Sequence, residues 1–300
     1  MRMNLRQVEA FRYVYQTGSM TTAGELMGVS QPAVSRLIRD LEAEIDFPLF
    51  DRTRGGLTPT ADAGEFYREV QRSFHGLDRL GRIAQDLRQR RVGDLRIVST
   101  VAMSFYFLPG VMGRFREAWP DVKLALHSCP SPEVVEGVAT QQYDIGLGIA
   151  PAAPPGVAAV PLPTLDTVCV LPASHPLAAR DKIRPEDLDG EPLLIISDYS
   201  TTQRKILQSL EAAGIRRNIV MEATNSAPIC ELIRQGAGLA ILEPVTAMAY
   251  AGRDVAVLPY EPTISLEMKL LHQSGRPLSE PAAAFFDLVR EEMRAMRAAT

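Results

Sequence analysis

The sequence predicts a multidomain α/β protein: a winged helix-turn-helix at the N-terminus, one long helix after it, and a C-terminal region of alternating strands and helices. Three observations predict it. Residues 19–41, SMTTAGELMGVSQPAVSRLIRDL, read as two short helices joined by a tight turn. Residues 60–90 contain no proline and carry an apolar repeat of helical spacing. Beyond Gly93, apolar runs of strand length alternate with helical stretches, the pattern of sheets covered by helices.

Bulk properties bound the answer. Three hundred residues exceed a single compact core and imply two or three domains. Hydrophobic content of 46% and charged content of 23% are those of an ordinary globular protein. No apolar run reaches membrane-spanning length, and the opening MRMNLRQVEAFRYV has no apolar core of a signal peptide, so no membrane partner and a cytoplasmic location are expected. Cys129, Cys169 and Cys230 are odd in number and far apart, and read as buried free thiols. The net charge of −4 argues against nucleic acid, but its distribution does not. Residues 1–93 hold 14 arginines, no lysine and 12 acidic residues, while the remainder holds 18 basic and 24 acidic. Arginine is the residue suited to bidentate phosphate and guanine contacts.

The first helix runs from about Asn4 to Gln16, with Leu5, Val8, Phe11 and Tyr15 on one face and Gly18 as its breaker. Ser19, Thr21 or Thr22 can cap the second helix, Thr22 with Glu25 fits a capping box, and Gly28 ends it. Ser30 caps the third, with Pro32 in its first turn. At 100° per residue, Val34, Leu37, Ile38 and Leu41 share a buried stripe. Gln31, Pro32, Ser35, Arg36 and Arg39 are left on the outward side, a short cationic face that fits the major groove, with Pro32 placed for a thymine methyl. A merely solvated helix shows the same division. The preceding cap and turn favour the groove. Next, Leu49–Phe50 and Leu57–Thr58 flank Arg52 and Arg54 as a hairpin wing whose arginines would hold DNA backbone.

The long helix at 60–90 has Val70, Leu77 and Ala84 at heptad position a, and Phe66, Ser73, Leu80 and Leu87 at d. Thirty helical residues span about 45 Å. No neighbouring sequence covers the stripe, so pairing between two subunits is expected. Strands are then expected at 95–99, 123–128, 145–149, 168–171, 193–196, 219–223, 239–242, 255–258 and 266–271, in mostly parallel sheets. Helices are expected near 105–118, 132–141, 202–213, 225–235, 244–250 and 280–298. The Pro- and Gly-rich segment 150–163 reads as a transition. The domains follow as 1–59 (winged helix-turn-helix), 60–92 (linker and dimerisation helix) and 93–300.

No catalytic set emerges. His75, His127, His175 and His272 are scattered, and there is no G-x-S-x-G, phosphate-binding loop or dinucleotide fingerprint. Gly146-Leu-Gly148 ends a strand without the rest of that fingerprint, and Asp144 before it caps or pairs. No enzyme, metal or cofactor is expected. A solute-binding protein would need an export signal and has no use for residues 1–90, and a two-lobed enzyme would need a charged catalytic cluster.

Val29-Ser-Gln-Pro-Ala-Val-Ser35-Arg, Pro48-Leu-Phe50-Asp-Arg52 and Leu57-Thr-Pro59-Thr resemble the DNA-binding signature of LysR-type transcriptional regulators. Gly93-Asp-Leu95-Arg-Ile97 and Gln235-Gly-Ala-Gly238-Leu-Ala-Ile241 have that family's look, and the opening with TGSMTTAGELM is most similar to regulators of opine use. The resemblance implies a periplasmic-binding-protein-like effector domain of two α/β lobes (93–163 with 269–300, and 164–268), crossed by strands at 166–171 and 266–271. It also implies a homotetramer, a dimer of dimers, on promoter inverted repeats, with a small-molecule effector between the lobes. RNA polymerase is a further expected partner.

Ligands in open α/β sheets sit beyond the carboxyl ends of strands. Four segments fall there: Ser99, Thr100, Val101 and Ala102; the stretch Ser128–Ser131, with Ser131 opening a helix; Tyr199, Ser200, Thr201 and Thr202; and Thr224 with Asn225 and Ser226. Hydroxyls at helix N-termini suit carboxylates, although the same residues serve as ordinary caps. The implied effector is a small organic anion or an amino-acid derivative. Glu243 and Asp198 border the cleft, where a carboxylate holds an ammonium or guanidinium.

Overall fold

The computed structural model describes residues 3–53, 56–89, 93–150, 152–197, 201–275 and 277–299. The chain forms two compact units, Met1–Leu87 with Thr140–Gln142, and Arg88–Ala139 with Tyr143–Thr300.

The first unit contains α1 (Leu5–Thr17), α2 (Met20–Met27), α3 (Gln31–Ile45), β1 (Phe50–Thr53), β2 (Gly56–Pro59) and α4 (Ala61–Gln89). Asn4 opens α1 in a capping box with Gln7, and Gly18 and Gly28 close α1 and α2 in the left-handed conformation. Of the three candidate caps for α2, Ser19 is the one used. Its hydroxyl accepts from Thr22 N–H, so Thr22 lies inside the helix and opens no capping box with Glu25. Ser30 is the N-cap of α3 by position, but its side chain makes no capping bond. Val34, Ile38 and Leu41 are buried and Leu37 is half-buried, as the helical spacing requires.

Gly24 sets how closely α2 and α3 approach. A Cβ there would lie 2.8 Å from the carbonyl oxygen of Val29, inside any normal contact. Phe11 fills the centre of the core, fully buried, with ring centroids of Tyr15, Phe50, Phe66 and Tyr67 5.2–6.2 Å away. Phe66 and Tyr67 belong to α4, whose Ala63 and Val70 are buried in the same core. The expectation that the α4 stripe lacks a cover is therefore corrected for its first half. Its ring-bearing turns complete the head, Tyr15 stacking on Tyr67 at 4.0 Å and the Arg12 guanidinium lying 4.7 Å over Phe74. Only farther along are Leu77 and Leu80 exposed, by 45% and 63%. The side chain of Leu87 lies outside the described ones.

The second unit runs β3 (Asp94–Ser99), α5 (Val101–Tyr106), α6 (Leu108–Ala118), β4 (Lys123–Ser128), α7 (Ser131–Ala139), β5 (Ile145–Ile149) and β6 (Val157–Pro161). After these come β7 (Leu165–Asp166), β8 (Val168–Pro172), β9 (Pro192–Ile196), α8 (Thr201–Ala212), β10 (Asn218–Ala223), α9 (Ser226–Arg234) and β11 (Ala240–Leu242). The chain ends with α10 (Pro244–Tyr250), β12 (Val255–Pro259), β13 (Ser265–Leu266), β14 (Met268–Gln273) and α11 (Glu280–Ala299).

The first lobe is a five-stranded sheet in the order β4-β3-β5-β14-β6. β3 pairs parallel with β4 and β5, but β14 is antiparallel to β5 and β6. In the second lobe β9 and β10 are parallel, whereas β11 and β12 flank β8 antiparallel. The expected parallel sheets are thus mixed, because strands returning from the far lobe enter against the local direction. The two crossings are the short antiparallel pair β7 and β13. Each expected crossing strand is broken by one residue, at Thr167 and Glu267. β6 occupies the segment expected to be a transition; it is an edge strand, where prolines at its ends are tolerated. The helix expected at 105–118 begins earlier and is two helices that part at Phe107, ahead of Pro109.

Gly146 has a packing role. A Cβ there would stand 2.7 Å from Val138 Cγ2 of α7, so its glycine lets α7 lie close on β5. Asp144 pairs as a backbone clamp, accepting from Arg96 N–H at 2.9 Å. Cys169 and Cys230 are buried free thiols; Cys129 is free but only half-buried. No helix among the described residues is long and apolar enough to cross a membrane.

Candidate DNA-binding face and ligand cleft

The candidate DNA face is built on α3. Gln31, Pro32, Arg36 and Arg39 are exposed and Ser35 is half-buried, all opposite the stripe that closes on Phe11 and its neighbours. With no ligand present, the arginines rest on their own helix. Arg36 Nε lies 3.7 Å from Asp40 Oδ2, and Arg39 Nε donates to Ser35 O at 3.4 Å. Exposed contacts of this kind hold little energy, so both guanidiniums can swing to another partner. The Ser30 side chain makes no capping bond, and the first α3 amides turn instead to the Ser30 carbonyl, which accepts from Ala33 N–H at 3.0 Å and Val34 N–H at 3.1 Å.

The wing is fixed to this helix by Glu42, a residue the sequence reading passed over. Its Oε1 accepts from Leu49 N–H (2.8 Å) and Phe50 N–H (3.3 Å), tying the start of β1 to the last turn of α3. Thr60 donates to Pro48 O and caps α4 by accepting from Ala63 N–H. Arg52 lies in β1 with its side chain outside the described ones, and Arg54 lies outside the described residues.

In the first lobe the expected cleft residues converge. Ser99 ends β3, buried, with an Oγ that has no hydrogen-bond partner among the described residues. Thr100 is the backbone N-cap of α5, which Val101 and Ala102 open. Ser131 opens α7, and its Oγ accepts from Ile149 N–H at 3.2 Å. A Cβ on Gly148 would lie 3.6 Å from both Ser131 Oγ and Thr100 Cγ2, so this glycine is where the two segments meet.

The second lobe presents Thr201 and Thr202, half-buried at the start of α8, and Asn225, which caps α9 through its backbone while its amide donates to Thr224 Oγ1. Ser226 is buried as the first residue of α9. Asp198, Tyr199 and Ser200 lie outside the described residues. Glu243 caps α10, its Oε2 accepting from Thr246 N–H at 2.8 Å. Burial pushes the Glu243 carboxyl above the usual carboxylate range, against the opposing pull of the Thr246 and Ser226 hydroxyls.

The lobes meet where α5 faces α10. Val245 of α10 is buried among Met103 and Phe107 of the first lobe. The Tyr106 and Tyr250 rings sit edge to face at 6.4 Å. Burial and the Tyr250 hydroxyl push Tyr106 up to about 12, and burial, then the charge of Glu243, pushes Cys230 up to about 12. Tyr106, Cys230, Thr246 and Tyr250 carry no motif, and only the approach of α5 to α10 brings them together.

This geometry can be set beside known proteins. The LysR substrate binding domain matches residues 88–294, and the bacterial regulatory helix-turn-helix protein of the lysR family matches residues 5–64. Regulatory protein NocR of Agrobacterium fabrum is 35% identical over 289 residues, covering 95% of this chain and 96% of its own. Transcriptional activator protein LysR of Escherichia coli is 35% identical, covering 94% and 91%. The octopine catabolism/uptake operon regulatory protein OccR of Rhizobium meliloti is 36% identical, covering 86% and 85%. Among solved structures, full-length CbnR complexed with its target DNA superposes with a TM-score of 0.68 over 97% of this chain and 100% of that one, at 21% identity, a likeness of fold. These relatives are regulators and not enzymes. With a helix-turn-helix and a substrate-binding domain matched in one chain, the protein belongs to the LysR family of bacterial transcriptional regulators.

Proposed function

We propose that this regulator binds promoter inverted repeats as a dimer of dimers and senses a small organic effector between its two α/β lobes, with promoter binding or DNA bending altered as a result. The observation that carries the DNA half is the exposed arginine face of α3 over a closed aromatic core. Gln31, Ser35, Arg36 and Arg39 are the base-edge contacts, Pro32 supplies an apolar one, and Arg52 and Arg54 hold backbone. Exposed Leu77, Leu80 and Ala84 on the far half of α4 support subunit pairing there, which sets two α3 helices on successive turns of one DNA face. Contact with RNA polymerase at the promoter belongs to the same proposal.

For the effector, the convergence of Ser99, Thr100, Val101, Ala102 and Ser131 in one lobe supports a carboxylate site. Thr201, Thr202, Asn225, Ser226 and Glu243 supply the facing polar groups, and Tyr199 and Ser200 complete the set. An amino-acid derivative or carboxylate fits, and OccR, whose name assigns it to an octopine operon, points to the same class. Binding shifts the population toward the lobe arrangement that the effector prefers.

The test is fluorescence anisotropy of full-length protein with duplex from upstream of its own gene. Affinity is expected to fall steeply between 50 and 200 mM salt as released counterions dictate. At fixed salt, Arg39→Ala is expected to cost about 1–3 kcal/mol of operator affinity and leave effector affinity alone. Equal operator affinity for Arg39→Ala and the parent would remove Arg39 from the interface.

A further inference from the structure

Glu243 stands where β11 ends and α10 begins, at the approach of the two lobes. Its two oxygens are treated differently. Oε2 accepts from Thr246 N–H at 2.8 Å. Oε1 is shut off from solvent and, among the described residues, has no hydrogen-bond partner in good geometry, although the Ser226 and Thr246 hydroxyls lie close enough to act on the carboxyl. A buried carboxylate oxygen without a donor is costly, so either a proton occupies it or a donor arrives from outside the chain. The residue as a whole is only half-buried, although Oε1 itself is covered, so a donor reaches it only as the two lobes shift. Among the described residues the titratable groups acting around it are Tyr106 from α5 and Cys230 from α9, both pushed up to about 12 and therefore neutral near pH 7, with the Tyr250 ring of α10 6.4 Å from that of Tyr106. None of these brings a positive charge to Oε1.

We propose that Glu243 sets the effector class: a zwitterion whose ammonium or guanidinium donates to Glu243 Oε1 while its carboxylate lies against Thr100 and Ser131 of the other lobe. This rests on the cleft reading above. A ligand bearing carboxylates alone brings no donor to Oε1, and once the carboxyl is ionised it also meets a like charge there. In the free protein the carboxyl is held neutral to higher pH than usual. Within that raised range, binding of the cation ionises the carboxyl, and the proton leaves Glu243 for the solvent as the ligand N–H takes its place. Because the ligand prefers the ionised form, its affinity rises as pH rises through the raised carboxyl value. A lactate-type ligand gains nothing over the same range.

Isothermal titration of full-length protein tests this with three matched pairs: L-arginine and L-citrulline, L-ornithine and L-norvaline, L-alanine and lactate. In at least one pair the member with the extra cation is expected to bind tenfold tighter or better, with proton release that grows as the pH is lowered through the raised carboxyl range when buffers of different ionisation heat are compared. Glu243→Gln is expected to erase that preference. Equal binding within every pair, binding by no cationic member, or a preference that survives in folded Glu243→Gln would overturn the inference. If Glu243→Gln does not fold, the proton release and pH profile of the unaltered protein decide the matter. Ser131→Trp separates this from the cleft itself. Binding lost in Ser131→Trp but unaffected by Glu243→Gln overturns the inference alone, and a probe that binds Ser131→Trp and parent equally removes the cleft as well.

Discussion

Gly24 shows how much one missing methyl can decide. With a Cβ 2.8 Å from the backbone oxygen of Val29, an alanine there forces α2 and α3 apart. Gly24→Ala is expected to destabilise the N-terminal unit by about 1–3 kcal/mol, as overpacking of a closed contact does. Urea denaturation followed by circular dichroism would register it, and an unchanged transition would show that the turn relaxes. Gly24 and Glu42 were both hidden in the sequence for one reason. Their importance comes from backbone groups five to eight residues away, Val29 O for the glycine and the Leu49 and Phe50 amides for the carboxylate. Gly18 and Gly28 could be read because a helix stop is a local event.

At the scale of elements, periodicity served well wherever a face had one job. The α3 stripe, the bounds of β4, β5 and α10, and the length of α4 all follow from spacing alone. It failed where a face changed partner along its length. The α4 repeat is continuous in sequence, yet Phe66 and Val70 close the head's own core while Leu77 and Leu80 stand in solvent. β6 was missed because an edge strand needs only one pairing partner, and that partner, β14, comes more than a hundred residues later. The exposed half of α4 makes a separate prediction. Leu77→Glu with Leu80→Glu is expected to shift sedimentation toward smaller species and weaken operator binding, with the thermal transition of the head retained. Unchanged sedimentation would place subunit pairing elsewhere.

At the scale of the whole effector domain, the seam between the lobes is a packed contact as well as a cleft. Val245 belongs to α10 yet is buried in the first lobe's core with Met103 and Phe107. Opening the lobes about β7 and β13 must expose it. Val245→Ala removes about two methylenes' worth of burial, about 1.6 kcal/mol before any cavity cost. It is expected to loosen the seam, raising amide exchange in α5 and α10 while leaving α11 protected. Exchange that rises equally in all three would mean global destabilisation. The proposed cleft residues could be named as polar strand ends, but the apolar latch beside them could not, since nothing in a sequence says which lobe a valine will serve.

The nest of rings around Phe11 has a mechanical consequence. Because Phe66 and Tyr67 are at once the root of the stalk and the lid of the head, with Tyr15 stacked on Tyr67 at 4.0 Å, the joint has no swivel. A torque applied along the first turns of α4 acts on the same aromatic core that backs α3, so the root of the long helix and the exposed arginine face turn together as one lever.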